Sequence, residues 1–295
     1  MEKSVEKLVK KIEQIPMLPS VSQRMMHVIS NEDASIKDIA RFIEKDQSLT
    51  LKIMKIANSA FYGSLSKVTS LENALIKLGL KEIKSIVLGI SIRDFFSNPA
   101  SGAFDRERFW KHAIVCSQIA KFLGFHYHHD GNDDSLFLLG LIHDMGKVVL
   151  DEYFHEEFIQ IIEYIDLNET TFSKAEKEVM GTTHYQIAAK ILKQWKFPDE
   201  IIMPVFYHHA PWYDKYYGAN SIILYLSNIL TKLTGYPCHQ SESPIDPLVF
   251  SKSSEIQFIN KSGFELDYGI INNFITHILE FMQDESDNVM ALFSE

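Results

Sequence analysis

Glycine and proline are scarce in this chain of 295 residues, at 13 and 9. Few residues are left to break helices or build tight turns, which favours long helices over a many-stranded sheet. There are two cysteines, Cys116 and Cys238, far apart and in no CxxC pair. That excludes a disulfide framework, and each is expected to be a small buried apolar residue. Positive charge is also short: 29 Lys and Arg against 39 Asp and Glu leave a formal net charge of -10. So acidic a chain is no generic counterion-releasing nucleic-acid binder and no polybasic membrane-surface protein. No uninterrupted apolar run is long enough to span a bilayer, and Met1 to Lys7 lacks the apolar stretch of a signal peptide. The expected compartment is the cytoplasm, with no membrane partner and with nucleic acid disfavoured. What remains is a globular composition, 46% hydrophobic and 23% charged, which sets disorder aside.

Apolar residues recur at helical spacing almost throughout. Val5, Leu8, Ile12 and Ile15 form a first amphipathic stretch that ends at Pro16. Pro19-Ser20 opens a second, through Met25, Val28 and Ile29, and Ser35 is the N-cap of a third. Asp46-Gln47-Ser48 and Ser70 start two more, the latter stopping at Gly79. Ile83 to Phe96 is the next helix, and Ser97 to Gly102 is the best linker candidate. Further helices are expected at Phe109–Phe125, Ser135–Tyr153, Glu156–Ile165, from Thr182 or Thr183 to Trp195, from Pro198-Asp199 to His208-His209, at Asn220–Leu233 and at Ile270–Met282. His126 to Asp134 and Tyr236 to Pro247 read as loops. The fold class is all-α, with residues 1–97 as an N-terminal helical bundle packed on a second bundle of residues 98–295.

Four motifs stand in order in the first half. They are Ile15-Pro16-Met17-Leu18-Pro19, Asp46-Gln47-Ser48-Leu49, Ile56-Ala57-Asn58-Ser59-Ala60-Phe61-Tyr62-Gly63, and Ala74-Leu75-Ile76-Lys77-Leu78-Gly79. Together they resemble the signature of the HDOD family, bacterial signalling proteins built on a modified HD-phosphohydrolase fold. A proline usually follows the aspartate there, and here it is Gln47. Physically, Asn58 and Ser59 suit a helix end because both bond nearby backbone, and Gly63 permits a tight turn. They are read as structural residues, with a partner-binding surface around the turn as the functional alternative.

The second half carries the chemistry. His143-Asp144-Met145-Gly146-Lys147 resembles the His-Asp motif of HD phosphohydrolases and follows the apolar run Leu138-Leu139-Gly140-Leu141. Gly140 and Gly146 leave room for another helix to approach closely. The resemblance implies a first metal ligand at His112 on the preceding helix, and further ligands at His184, His208 and His209 completing a binuclear site. Imidazole and carboxylate together suit iron, manganese, nickel, cobalt or zinc. Such a metal would polarise a phosphoryl oxygen or acidify a bound water, and Lys147 could contact phosphate. His184 follows its caps directly, where the helix dipole disfavours a protonated imidazole. The competing reading of these residues is a polar core cluster without metal. His126, His128 and His129 are read as a solvated loop.

The resemblance breaks at Asn228, which stands where a late aspartate ligand is expected. Gly235-Tyr236-Pro237 spells a tripeptide of the cyclic-di-GMP hydrolases, but far too late in the chain, and is read as coincidence. The aromatics Phe206, Tyr207, Trp212, Tyr213, Tyr216 and Tyr217 are read as a lid or packing patch rather than a base-stacking surface. The expected function is therefore signal transduction through protein partners, with a vestigial or structural metal site. The alternative is a metal-dependent phosphohydrolase with a nucleotide or cyclic nucleotide as ligand. A nucleic-acid regulator, resting on Lys77, Lys81 and Lys84, is the weakest of the three.

Overall fold

The structure is a computed structural model that describes residues 11–18, 36–59, 62, 67–96, 104–127, 135–242 and 244–290. The stretch through Val5 and Leu8, the helix after Pro19, Ser35, Gly63, the linker Ser97–Gly102, and His128 to Asp134 lie outside those residues. Among the described residues every regular element is helical, as the sequence implies. None of these helices is long and apolar enough to cross a membrane. The chain divides into two compact units, Met1–Met17 with Phe96–Ile275, and Leu18–Phe95 with Thr276–Glu295.

The smaller unit contains α1 (Ile36–Ile43), α2 (Gln47–Ala57), α3 (Leu71–Leu78) and α4 (Leu80–Phe95). Asp46 caps α2, its Oδ1 accepting the Leu49 N–H at 3.0 Å, and Ser70 caps α3 through Asn73 at 3.2 Å. Gly79 at φ 81° ends α3 and lets α4 begin one residue later. Ile39, Ile43, Ile53, Ala57, Ala74, Leu75 and Ile83 are its core. Asn58 closes α2. Its side-chain amide donates to Met54 O and Val68 O at 2.9 and 2.8 Å, and its Oδ1 accepts the Val68 N–H at 2.7 Å. Lys77 donates to Ala57 O at 2.8 Å, so it too holds the end of α2.

The larger unit runs α5 (Arg106–Tyr127), α6 (Ser135–Ile142), α7 (Met145–Tyr153), α8 (His155–Asn168), α9 (Phe172–Met180), α10 (His184–Gln194) and α11 (Asp199–Tyr207). A 3-10 turn at Pro211–Tyr213, α12 (Gly218–Leu233), α13 (Pro247–Ser251) and α14 (Ser254–Lys261) follow, and α15 (Tyr268–Met290) passes from the residues of one unit to those of the other. Helix α6 is apolar all round, Leu136 to Ile142 being buried, which marks a central core helix. Its neighbours are α5 and α12, while α7 packs on α10. Both cysteines are free and buried.

Three expectations need correction. The single helix expected at Ser135–Tyr153 is broken after Ile142, and His143 and Asp144 form the two-residue turn between α6 and α7. Helix α9 was not foreseen, because its apolar residues Phe172, Ala175 and Met180 are spaced out among charged ones. His126 sits in the last turn of α5 rather than in a loop, its ring against Phe274.

The two glycines of the His-Asp region are required by close approach. A Cβ on Gly140 would lie 2.6 Å from Ser117 N, and one on Gly146 would lie 2.6 Å from His184 C. Neither backbone can yield without moving a helix. Gly146→Ala should therefore cost about 3 kcal/mol of stability in urea unfolding. Gly218→Ala, with nothing near its Cβ, should stay within about 0.5 kcal/mol. Equal losses for the two would show that the approach of α7 to α10 is not tight.

Candidate metal centre

The break between α6 and α7 places Asp144 at the centre of a ring of imidazoles. Asp144 Oδ1 lies 3.1 Å from His184 Nε2 and 3.5 Å from His208 Nε2. Its Oδ2 lies 3.4 Å from His143 Nε2 and 3.8 Å from His112 Nε2. His209 Nε2 stands 3.1 Å from His184 Nε2. One carboxylate thus serves two donor groups, Asp144 with His184, His208 and His209, and Asp144 with His112 and His143. Asp144, His112, His143, His184 and His208 are fully buried, at 0% exposure, and His209 alone of the six is partly exposed.

Each buried imidazole is anchored through its other nitrogen. His112 Nδ1 meets Tyr236 O at 2.7 Å, His143 Nδ1 meets Gly140 O at 2.8 Å and His208 Nδ1 meets Val205 O at 2.6 Å. His184 Nδ1 meets the Glu176 carboxylate at 2.8 Å. A carbonyl can only accept, so Nδ1 carries the proton in the first three. Nε2 then turns a lone pair toward Asp144. This outer ring of acceptors is what fixes the ring plane and tautomer of metal-ligating histidines.

The arrangement fits a metal on physical grounds. Lone pairs facing a carboxylate, and imidazole Nε2 atoms facing each other at 3.4 Å (His112 and His143) and 3.1 Å (His184 and His209), repel unless a cation or a proton lies between them. Asp144 Oδ1 and His208 Nε2 are buried without a hydrogen-bond partner although they are 3.5 Å apart. Ligand atoms about 2.1 Å from one ion sit roughly 3.0–3.4 Å from each other in octahedral or tetrahedral geometry, close to the 3.1–3.5 Å between most of these atoms.

Without metal, protons must share that role. Burial would lower His143, but Asp144 and Cys116 overcome it and raise it to about 10. Burial would also lower His184, but Glu176 and Asp144 raise it. His112 and His208 are pushed down to about 3 by burial, assisted by neighbouring imidazoles. Burial likewise dominates in lowering His209. Burial alone would raise Asp144, yet Lys147 and His143 hold it well below the usual carboxylate range. At His184 the Glu176 carboxylate opposes the helix dipole, favouring the protonated ring where the dipole disfavours it.

The structure brings all six sequence-derived candidates together. Lys147 is buried at 1% exposure rather than solvated, its Nζ 2.7 Å from Asp144 Oδ2 and 4.6 Å from the Phe172 ring centroid. Asn228 is buried on α12 with its Oδ1 unpaired. The aromatic run is part packing and part exposed surface: Trp212 packs on Tyr225 and Phe258, while Tyr213 and Tyr216 are exposed. Sequence reasoning missed Glu176 and the segment 235–242. A signal for Glu176 was present, since it lies on the stripe Phe172, Ala175, Met180, where a lone carboxylate calls for a buried partner.

The family profile of the HDOD domain matches residues 15–211. The chain belongs to the HDOD family. Among solved structures, an HDOD domain protein of unknown function from Geobacter sulfurreducens is 22% identical, with a TM-score of 0.82 over 99% of this chain and 98% of its own. A candidate signal transduction protein from Marinobacter aquaeolei VT8 is 23% identical, TM-score 0.74, over 98% of this chain and 64% of its own. A candidate phosphohydrolase from Shewanella amazonensis SB2B is 18% identical, TM-score 0.75, over 97% and 98%. These likenesses establish the fold of this HDOD chain. An uncharacterized Treponema pallidum protein is 22% identical over 199 residues, 68% of this chain and 38% of its own length. This HDOD chain thus spans well under half of that curated relative.

The depressed histidines set a pH dependence for the metal-free protein. A histidine lowered from 6.5 to about 3 binds fewer protons folded than unfolded between those values. Its contribution is therefore present above pH 6.5 and is lost as pH falls toward about 3. With chelator present, wild-type stability should decline over that range more steeply than that of His208→Gln. Parallel curves from denaturant titrations would mean that His208 is not held neutral by burial.

Proposed function

We propose that this HDOD chain is a bacterial, cytoplasmic signal-transduction protein. It acts through protein partners and holds a buried pair of divalent-metal positions that organise its larger unit. The carrying observation is the combination of a full donor set with closure. His112, His143, Asp144, His184 and His208 are at 0% exposure. Lys147 already occupies Asp144 Oδ2 at 2.7 Å. So buried a donor set, with an ammonium already on the carboxylate, suits a structural or sensing metal, which needs no access for a substrate. Iron, manganese, nickel, cobalt and zinc all suit the donors. The description of the Marinobacter relative agrees with this reading.

A metal-dependent phosphohydrolase of a nucleotide or cyclic nucleotide is the second reading. Two donor groups sharing Asp144, with an ammonium beside them, favour it. A metal there would supply Lewis acidity. His112, His143, His184 and His208 would hold it, and Lys147 would orient phosphate. Asn228 counts against it, because a neutral amide replaces the expected carboxylate.

Elemental analysis of wild type beside Asp144→Ala is the decisive comparison. Stoichiometric transition metal should be present in the first and absent from the second. Chelation should lower the wild-type Tm by about 10 °C, as loss of a tightly bound ligand does. Metal-free wild type with an unchanged Tm would leave the histidines as core residues. Phosphoester turnover that disappears in His143→Ala would replace the signalling reading with the enzymatic one.

A further inference from the structure

The two donor groups that share Asp144 differ in anchoring, in access and in the charge already present. His112, His143, His184 and His208 are each held at Nδ1 by an oxygen, whereas His209 has no such partner among the described residues. His209 stands in the link between α11 and the 3-10 turn rather than on a helix. It is the one partly exposed ligand, and half-buried Tyr185 lies beside it with ring centroids 5.6 Å apart. The group of Asp144, His184, His208 and His209 therefore meets solvent at one ligand, and the group of His112, His143 and Asp144 at none.

Lys147 divides the carboxylate further. Its ammonium takes Asp144 Oδ2 at 2.7 Å, the oxygen that faces His143 at 3.4 Å and His112 at 3.8 Å. Asp144 Oδ1 and His208 Nε2, by contrast, are both buried without a hydrogen-bond partner. Asp144, His184, His208 and His209 each offer a donor atom within 4.8 Å of the other three. The Oδ1 side thus supplies three imidazoles and an oxygen not taken by Lys147, a four-donor set suited to a zinc-like ion. The Oδ2 side supplies two imidazoles and an oxygen already bound to an ammonium. A divalent ion on that side would meet a like charge at close range in a medium of low dielectric.

We propose that the two metal positions are filled unequally. Asp144 Oδ1, His184, His208 and His209 take the first divalent cation, which enters past His209, and Lys147, seated on Oδ2, keeps the His112–His143 position weak. This rests on the buried metal of the function proposed above and adds to it an order of filling and an entry side. His209 is the ligand that turns away at least cost, because it breaks no Nδ1 bond and leaves no helix. Exchange then moves one ring while the four anchored rings stay in place. An ion held in this way follows the free divalent metal outside the protein.

The test is mass-spectrometric mapping of histidine modification by diethyl pyrocarbonate in the metal-free wild-type chain, before and after one equivalent of Zn2+. Of the five cluster histidines only His209 should react without metal. One equivalent should abolish that reaction, because ligation at Nε2 leaves the proton on Nδ1. Equilibrium dialysis against Zn2+ gives a second readout: one tight ion per chain, and a second held about a hundredfold more weakly. His208→Gln should lose the tight ion and His112→Gln should keep it. Lys147→Met should bring the second ion to within about tenfold of the first. A His209 that stays reactive with one zinc bound, two ions of equal affinity in wild type, or loss of the tight ion in His112→Gln alone overturns the proposal and leaves the buried metal standing. No bound ion in wild type overturns both. The modification arm needs no substitution, so it decides even where a variant fails to fold.

Discussion

Asp144 carries a full negative charge at 0% exposure, and an isolated buried carboxylate would cost many kcal/mol. Much of the larger unit answers that demand. Lys147 neutralises one oxygen from a single turn away, at 2.7 Å. Histidines from α5, the α6–α7 turn, α10 and the end of α11 converge on the same group. Each of the four fully buried rings is held by an oxygen behind it, so the cluster reaches outward to Tyr236, Gly140, Val205 and Glu176. Losing any one of these holds would free a ring to turn its lone pair elsewhere. The break between α6 and α7 follows from the same demand. On one continuous helix, adjacent side chains diverge by about 100°. In the turn, His143 and Asp144 face the same space.

The two tight glycines belong to this geometry as well. Gly140 brings α6 against the backbone of α5 near Ser117, and Gly146 brings the start of α7 against His184. Any side chain at either place would hold apart the helices that deliver His112 and His184. Packing and chemistry are here one constraint. The residues that make the cluster are positioned by backbone contacts with no slack.

How much of this could be read beforehand depended on whether a signal was local. Both glycines, Asp46, Ser70 and the cap before His184 are local patterns with a mechanical meaning, and each stands where its pattern places it, whereas the His-Asp pair was legible as a motif but not as a turn. His112, His208 and His209 needed the family resemblance, since nothing in their own surroundings distinguishes them among 12 histidines. The helix break at His143 was invisible because Leu136 to Leu150 keeps an unbroken helical pattern. Glu176 was hidden by an unassigned helix, although its place among apolar residues was a legible anomaly. The segment after α12 was least legible of all. Its role arises from three separate tertiary contacts, through Tyr236, His239 and Glu242, and sequence spacing encodes none of them.

That segment also decides how the charge of the unit should be understood. The chain is acidic overall, at -10, yet a buried ionic network places two lysines against Asp144 and Glu242. Net charge governs long-range encounter, but within a Debye length of about 8 Å local groups dominate. A divalent ion entering at Asp144 would add positive charge beside Lys147. That would weaken the hold of the lysine on Asp144 and increase its need for an anion. Glu242 lies 3.8 Å from Lys147 and is itself held by Lys232 at 3.0 Å. A metal at Asp144 would therefore act on the seating of the segment after α12 through Lys147.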